Sequence, residues 1–215
     1  AISFNLPSLK DNHGKYKKHK YLTRFTLDYA RAIYTFDSYT GSQGMGIFLF
    51  SDILGDHRAA IGVELQVEKI EESDFFIQYR YLKKKLNHEG QIYKRAYKNY
   101  EISNGFDPSP YLLYKNLGFD YRLSYPFSRF SRIEGGFNYN YYMKEYYTWS
   151  GNDYDQADTN YPNRTITMPY AKFVFDNTRW FYLHPVSGSR IYLKYDIAPN
   201  NGLNDFNYNM FTFDS

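Results

Sequence analysis

Residues 173–197 read FVFDNTRWFYLHPVSGSRIYLKYDI. A strand-like run ends in Asp176-Asn177-Thr178-Arg179, and an aromatic turn follows, closed by Pro185 and by Gly188-Ser189-Arg190. From there the chain alternates. Ile191, Leu193, Tyr195 and Ile197 take one side; Arg190, Tyr192, Lys194 and Asp196 take the other. Side chains of a β-strand point alternately to opposite faces, so this segment has an apolar face and a polar face. The fold depends on what touches the apolar face, a protein core or lipid.

Outward from this stretch the same period recurs. Ile61, Val63, Leu65 and Val67 oppose Gly62, Glu64, Gln66 and Glu68. Phe75, Ile77, Tyr79 and Tyr81 oppose Gln78 and Arg80. Leu117, Phe119, Tyr121, Leu123 and Tyr125 oppose Gly118, Asp120, Arg122 and Ser124. Ile133, Phe137, Tyr139, Tyr141 and Met143 oppose Arg132, Glu134, Asn138 and Asn140. Further strands are expected over Tyr21–Thr35, Gly44–Ser51, Gln91–Ile102, Thr165–Asp176 and from Phe206 to Phe213. In the first of these, Tyr21, Phe25, Leu27, Tyr29 and Ile33 are expected on one face, opposite Arg24, Thr26 and Asp28. The sum is about ten strands, each near the ~9–11 residues of a tilted membrane-crossing strand. Connections have hairpin length, so the fold class is all-β, an antiparallel meander.

Composition agrees. Tyr (26) and Phe (18) dominate the 215 residues, and aromatic side chains fit a pleated surface. Mean hydropathy is −0.67. No run reaches the ~18 apolar residues of a membrane helix, which excludes a helical membrane protein and leaves a β-barrel open. With 26 basic and 23 acidic residues the charge is too balanced to suggest a nucleic-acid partner, and none is expected. The basic run Lys10–Lys20 reads as a solvated linker, so residues 1–20 are a linker and 21–215 the barrel domain. There is no cysteine, hence no disulfide, thiolate metal site or thiol nucleophile. No secretory leader is visible at Ala1.

Lipid is favoured over a core. Charges stand at mid-strand on the polar faces (Asp28, Glu64, Arg80, Asp120, Arg122, Glu134), as a watery lumen allows. Aromatics gather near strand ends: Tyr141, Tyr142, Tyr146, Tyr147 and Trp149 at one end, Trp180, Phe181 and Tyr182 at the other. Such rings suit a membrane interface. The odd connections include the longest loop, Ser150–Pro162, while even turns such as Asp52–His57, Lys83–Gly90 and Pro126–Phe130 are compact. Outer-membrane barrels have short periplasmic turns and longer outer loops, so the expected fold is a transmembrane β-barrel with a periplasmic N-terminus.

Two segments resemble known barrels. FLFSDILGDHRAAIGVELQ (48–66), with Asp52, Gly55, Asp56 and His57 in its turn, resembles the barrel that follows TolB-like propeller repeats in large bacterial outer-membrane proteins. DNTR and HPVSGSRIYLKYDIAP resemble the hairpin of the bacterial surface-antigen, BamA-like superfamily, with Asp176, Arg179, Pro185, Gly188 and Arg190 at the matching positions. The resemblance implies a barrel of about 16 strands, with such a hairpin near its middle, of which about ten are in this chain. A closed ten-stranded barrel is the alternative. It implies a task in outer-membrane assembly or in protein or lipid export, with outer-membrane lipid, lipopolysaccharide and other envelope proteins as partners. A simpler reading gives Asp176, Arg179 and Arg190 only a turn-stabilising, ion-pairing role.

An enzyme is not expected, and neither is a cofactor or metal. On the expected topology His13 and His19 lie in the linker and His57, His88 and His184 in periplasmic turns, away from the outer rim. Neither H-E-x-x-H nor G-x-S-x-G occurs. Asp153, Asp155 and Asp158 lack the calcium-loop pattern. The rival to assembly is a passive pore or a surface barrel that stacks glycans on the tyrosines of residues 146–161.

Overall fold

The computed structural model describes Tyr16 and residues 21–37, 41–67, 69–100, 110–151, 154–157, 161–182, 184–200, 202, 204 and 207–215. Most of the linker therefore lies outside the described residues, as do Glu68, Asp153, Asp158, Phe206 and most of the expected loop Asn104–Pro110.

Thirteen strands follow in order: β1 (Phe25–Asp37), β2 (Gly41–Asp52), β3 (His57–Gln66), β4 (Asp74–Tyr81), β5 (Asn87–Tyr100), β6 (Tyr111–Pro126), β7 (Ser131–Trp149), β8 (Tyr154–Gln156), β9 (Arg164–Asp176), β10 (Arg179–Phe181), β11 (His184–Ser187), β12 (Arg190–Ala198) and β13 (Tyr208–Asp214). Ten of them pair in the order β1-β2-β3-β4-β5-β6-β7-β9-β12-β13, each antiparallel to its neighbour. The all-β antiparallel meander expected from the alternation is the observed fold, with the ten expected strands in their expected order. A single 3-10 turn, Ile70–Glu72, is the helical element among the described residues.

Three short strands were not expected. β8 pairs with the end of β7 inside what reads as a polar loop, setting Tyr154 opposite Trp149 and Gln156 opposite Tyr147. β10 and β11 pair with each other and form a ribbon inside the expected turn Arg179–Gly188. Strands this short carry too few alternations to show a period in sequence. The turn expected over Lys83–Gly90 is shorter than expected, because β5 already begins at Asn87.

Registers fix the faces. Expected alternations hold for β3, β4, β6, β7 and β12. In β1 they fail halfway. Leu27 stands opposite Phe50 and Tyr29 opposite Leu49, so Asp28 is an extra residue in a β-bulge. One inserted residue reverses every later side chain. Tyr29 and Ile33 therefore lie on the polar face, not with Leu27.

The sheet is open. Among the described residues, β1 pairs only with β2 and β13 only with β12. Two of the most covered apolar side chains, Tyr111 and Leu113 (each 1% exposed), sit at the end of β6 near the odd connections. Tyr111 stacks on Tyr147 with ring centroids 4.9 Å apart and meets the edge of Tyr154 on β8 at 4.9 Å. Its hydroxyl donates to Glu72 of the 3-10 turn at 3.3 Å.

Candidate functional site

The two faces of the sheet differ in kind. On the apolar face of β6 the run Leu117, Phe119, Tyr121, Leu123 and Tyr125 carries no charge, and neither do its register partners on β7, Tyr141, Tyr139, Phe137, Gly135 and Ile133. The same holds for Phe75, Ile77, Tyr79 and Tyr81 of β4, for Ala59, Ile61 and Val63 of β3, and for Ile191, Leu193 and Tyr195 of β12. Lys94 stands at the border of this band, opposite Leu117, and its ammonium turns away to the carbonyls of Glu71 (2.7 Å) and Ser73 (2.9 Å). The band is bare: Ile77 is 51% exposed, Ile92 50%, Ile133 45% and Leu193 38%. Past Lys94 the same face becomes charged and covered, with Lys115 on Glu145 (2.7 Å), Lys98 on Glu72 (2.5 Å) and the buried Tyr111 and Leu113.

An aromatic row runs across the sheet from the start of β3 to the middle of the band on β6 and β7. Phe25 meets His57, His57 meets Tyr79 and Tyr81, Tyr81 meets His88, His88 meets Tyr121, and Tyr121 meets Phe137, all with ring centroids 5.0–6.4 Å apart. Polar tips link it, since His57 Nδ1 lies 2.6 Å from the Tyr79 hydroxyl and His88 Nδ1 lies 2.8 Å from that of Tyr121. Of the rings expected to gather at strand ends, Tyr142 and Tyr146 are on the polar face instead, because they alternate with Tyr141 and Tyr147 along β7. Trp180, Phe181 and Tyr182 lie on the β10–β11 ribbon, outside the ten-stranded path, and are exposed.

The polar face carries a chain of alternating charges across β4, β5, β6, β7 and β9. Arg80 Nε is 2.8 Å from Glu89, without a well-directed hydrogen bond. Arg122 donates to Glu89 at 2.6 Å and approaches Glu134 at 3.9 Å. Glu134 accepts from Arg132 at 2.5 Å and lies 4.0 Å from Lys172. Register produces the chain: Arg80, Glu89 and Arg122 stand in one cross-strand row, and Glu134 pairs with Lys172 one step away. Glu134 is only 4% exposed and Asp196 2%, so the charged side chains are more covered than the apolar ones behind them. A depression of about 180 Å³ opens beside this row, lined by Glu89, Gln91, Asp120, Arg122, Asn138 and Tyr170. Glu89 and Lys172 were not singled out in the sequence. Glu89 sits beside His88 and Gly90, residues that read as a turn, although its spacing to Gln91 and Tyr93 continues the period of two.

The hairpin residues separate into two groups. Asp176 and Arg190 are direct partners across β9 and β12, with Arg190 Nε 3.7 Å from the carboxylate. Gly188 closes the same neck at φ +96, where a Cβ would lie 2.5 Å from the Asn177 carbonyl oxygen. The Asn177 side chain accepts from the Ser189 amide at 2.6 Å, and Asp176 accepts from the Thr178 amide at 3.1 Å. Arg179 and Pro185 are not brought to this cluster. They stand in the ribbon, opposite Ser187 and Trp180, and Arg179 forms no ion pair among the described residues.

The other turn is built around Asp52, 2% exposed. Its carboxylate accepts from the His57 amide (3.0 Å) and from the Tyr21 hydroxyl (2.6 Å), while its carbonyl accepts from the Gly55 amide (2.9 Å). Gly55 adopts φ +70, and its own carbonyl accepts from Arg58 at 3.3 Å. The Asp56 carbonyl accepts from the Leu82 amide at 2.7 Å, tying this turn to the next one. The hydrogen bond to Asp52 raises the Tyr21 phenol above its ordinary value. These contacts account for Asp52, Gly55 and Asp56 as turn residues and for His57 as part of the aromatic row.

Among the described residues no three His, Asp or Glu side chains gather as a metal site, and Asp155 stands on β8 opposite Thr148. No protein-family profile, curated protein or solved structure matches the chain.

Proposed function

We propose that the sheet is the wall of an outer-membrane β-barrel, its apolar face in lipid and its polar face toward a water-filled interior. One observation carries the reading: an uncharged, bare apolar band crosses the sheet, bordered by charges at one end. From Leu117 to Tyr125 the band on β6 is nine residues long, which matches the ~9–11 of a tilted span. A soluble sandwich would cover this face and bare the other. Charge on the lipid face is costly at the bilayer midplane, about 2–4 kcal/mol for Arg or Lys, and the band avoids it.

The odd connections then lie outside and the N-terminal residues in the periplasm. The task proposed is assembly or export of other envelope proteins or lipids, on the resemblance of residues 48–66 and of the Asp176–Arg190 hairpin to surface-antigen barrels. Strand edges and local bilayer distortion suffice for it, and no covalent chemistry is needed. Single cysteines test the wall. At Ile92 and Leu193, an attached fluorophore is expected to be quenched by brominated lipid; at Gln91 and Lys194, thiols are expected to react with a water-soluble maleimide in intact membranes. The reverse pattern would sink the reading. Depletion of the protein tests the task, since other outer-membrane proteins are expected to fall with it. A normal outer-membrane profile together with single-channel conductance would replace assembly by a passive pore.

A further inference from the structure

Tyrosines and cations share the polar face of β5, β6, β7 and β9 near the odd connections. Tyr97 and Tyr114 are direct partners and stack with ring centroids 4.8 Å apart and planes 5° from parallel. Tyr97 is 61% exposed and Tyr142, on the next strand, 39%. Lys144 lies over the rings of Tyr114 (5.5 Å) and Tyr161 (4.3 Å), and Arg95 over Tyr93 (4.8 Å). Arg164 stands opposite Tyr142. Below the rings, the Asn116 amide donates to Asn140 Oδ1 at 3.0 Å, while the Asn116 carbonyl oxygen is buried without a partner.

The charge is one-sided. Among the described residues, the polar-face positions of these four strands between Asp120 and Asp155 carry Arg95, Lys144 and Arg164 and no carboxylate, and the neighbouring carboxylate on β4, Asp74, accepts from the Ala96 amide at 2.6 Å. This differs from the alternating row below, where each cation meets Glu89 or Glu134. The two features together are selective. Flat exposed rings in water stack the apolar faces of sugars, amides hydrogen-bond their hydroxyls, and arginine and lysine pair with anionic substituents.

We propose that this surface binds an acidic oligosaccharide, its sugar rings stacked on Tyr97, which Tyr114 backs, and on Tyr142, and its carboxylates paired with Arg95, Lys144 and Arg164. The inference uses the proposed wall only to place this face at the outer mouth. Single-stranded nucleic acid also stacks on aromatics, but it needs a groove of cations tracking many phosphates. Here there are three, in a chain of net charge +3.

Calorimetric titration of the full chain in detergent micelles tests the proposal, with an oligogalacturonate, an uncharged maltooligosaccharide and a deoxythymidine oligomer as probes. The oligogalacturonate is expected to bind, the maltooligosaccharide more weakly, and affinity is expected to fall as salt rises. Tyr97→Ala is expected to weaken binding about tenfold, in the range of losing one stacking contact, while Tyr97→Phe retains it. Lys144→Gln is expected to weaken the oligogalacturonate and leave the maltooligosaccharide unchanged. No binding of the oligogalacturonate, binding indifferent to Tyr97→Ala and Lys144→Gln, or tighter binding of the deoxythymidine oligomer would each overturn the proposal. Lipid quenching at Ile92 and Leu193 on the same preparation keeps the readings apart. Quenching without sugar binding removes the platform and leaves the wall; sugar binding without quenching does the reverse.

Discussion

At the scale of single residues, two kinds of position hold this sheet together, tight backbone approaches and covered charges. Gly188 and Gly151 both have a positive φ, +96 and +98. A Cβ at Gly151 would meet nothing within 4 Å, whereas at Gly188 it would strike the Asn177 carbonyl. Gly151→Ala is therefore expected to cost about 1 kcal/mol of backbone strain, and Gly188→Ala about 2–4 kcal/mol as the hairpin neck is forced apart. Urea unfolding midpoints in detergent measure the difference, and equal midpoints would refute the role given to the neck. Glu134 is the second kind. It is the anion shared by Arg132, Arg122 and Lys172. Glu134→Gln leaves those cations facing one another and is expected to cost about 1–3 kcal/mol, less than a fully desolvated pair because the face meets water. Adding Lys172→Met to Glu134→Gln is expected to recover part of the loss, and a double-mutant cycle with no coupling would contradict the network.

At the scale of elements, the turns decide register. Asp52 stops β2 by taking the His57 amide and the Tyr21 hydroxyl, which leaves Gly55 to make the bend. In Asp52→Ala the His57 amide is expected to exchange with solvent about tenfold faster, as expected for a lost hydrogen bond to a charged acceptor. Unchanged exchange at His57 would mean that the turn holds without its carboxylate. The alternation in β3, β4, β6, β7 and β12 was legible from sequence because these strands each have two chemically different sides, and a period of two is visible wherever that is so. The bulge at Asp28 was not legible, because Tyr29 and Ile33 look equally suited to either face and nothing local marks an inserted residue. Nor were β8, β10 and β11, whose three or four residues hold too few alternations. Of the ion-pair row, Arg80, Arg122, Arg132 and Glu134 were visible one by one and Glu89 and Lys172 were not, and the meeting of all six depends on cross-strand register, which sequence spacing does not contain. Of the hairpin motif, Asp176, Gly188 and Arg190 converge because they flank the neck, while Arg179 and Pro185 belong to a ribbon that sequence reads as a loop.

At the scale of the whole molecule, the apolar face behaves as though it met two solvents. From Leu117 to Tyr125 it is bare and uncharged, and beyond Leu117 the same face is charged and covered by the Tyr154 ring and the Ile70–Glu72 turn, with Tyr111 and Leu113 buried there. Water demands that cover and lipid does not, so on the proposed wall the boundary falls between Leu113 and Leu117. The same physics bears on the edges. β1 and β13 each leave one row of backbone amides and carbonyls unpaired in this sheet, and an unpaired polar group in hydrocarbon costs several kcal/mol. Edges of this length cannot persist in a bilayer. In membranes, the amides of both edge strands are therefore expected to be paired, with each other or with further strands. Hydrogen exchange on the membrane-embedded protein measures this. The outer-edge amides of β1 between Leu27 and Ile33, and of β13 between Asn209 and Phe213, are expected to exchange as slowly as those at the centre of β6. Fast exchange along either edge, with β6 protected, would show an edge open to water and would exclude a sheet closed in lipid.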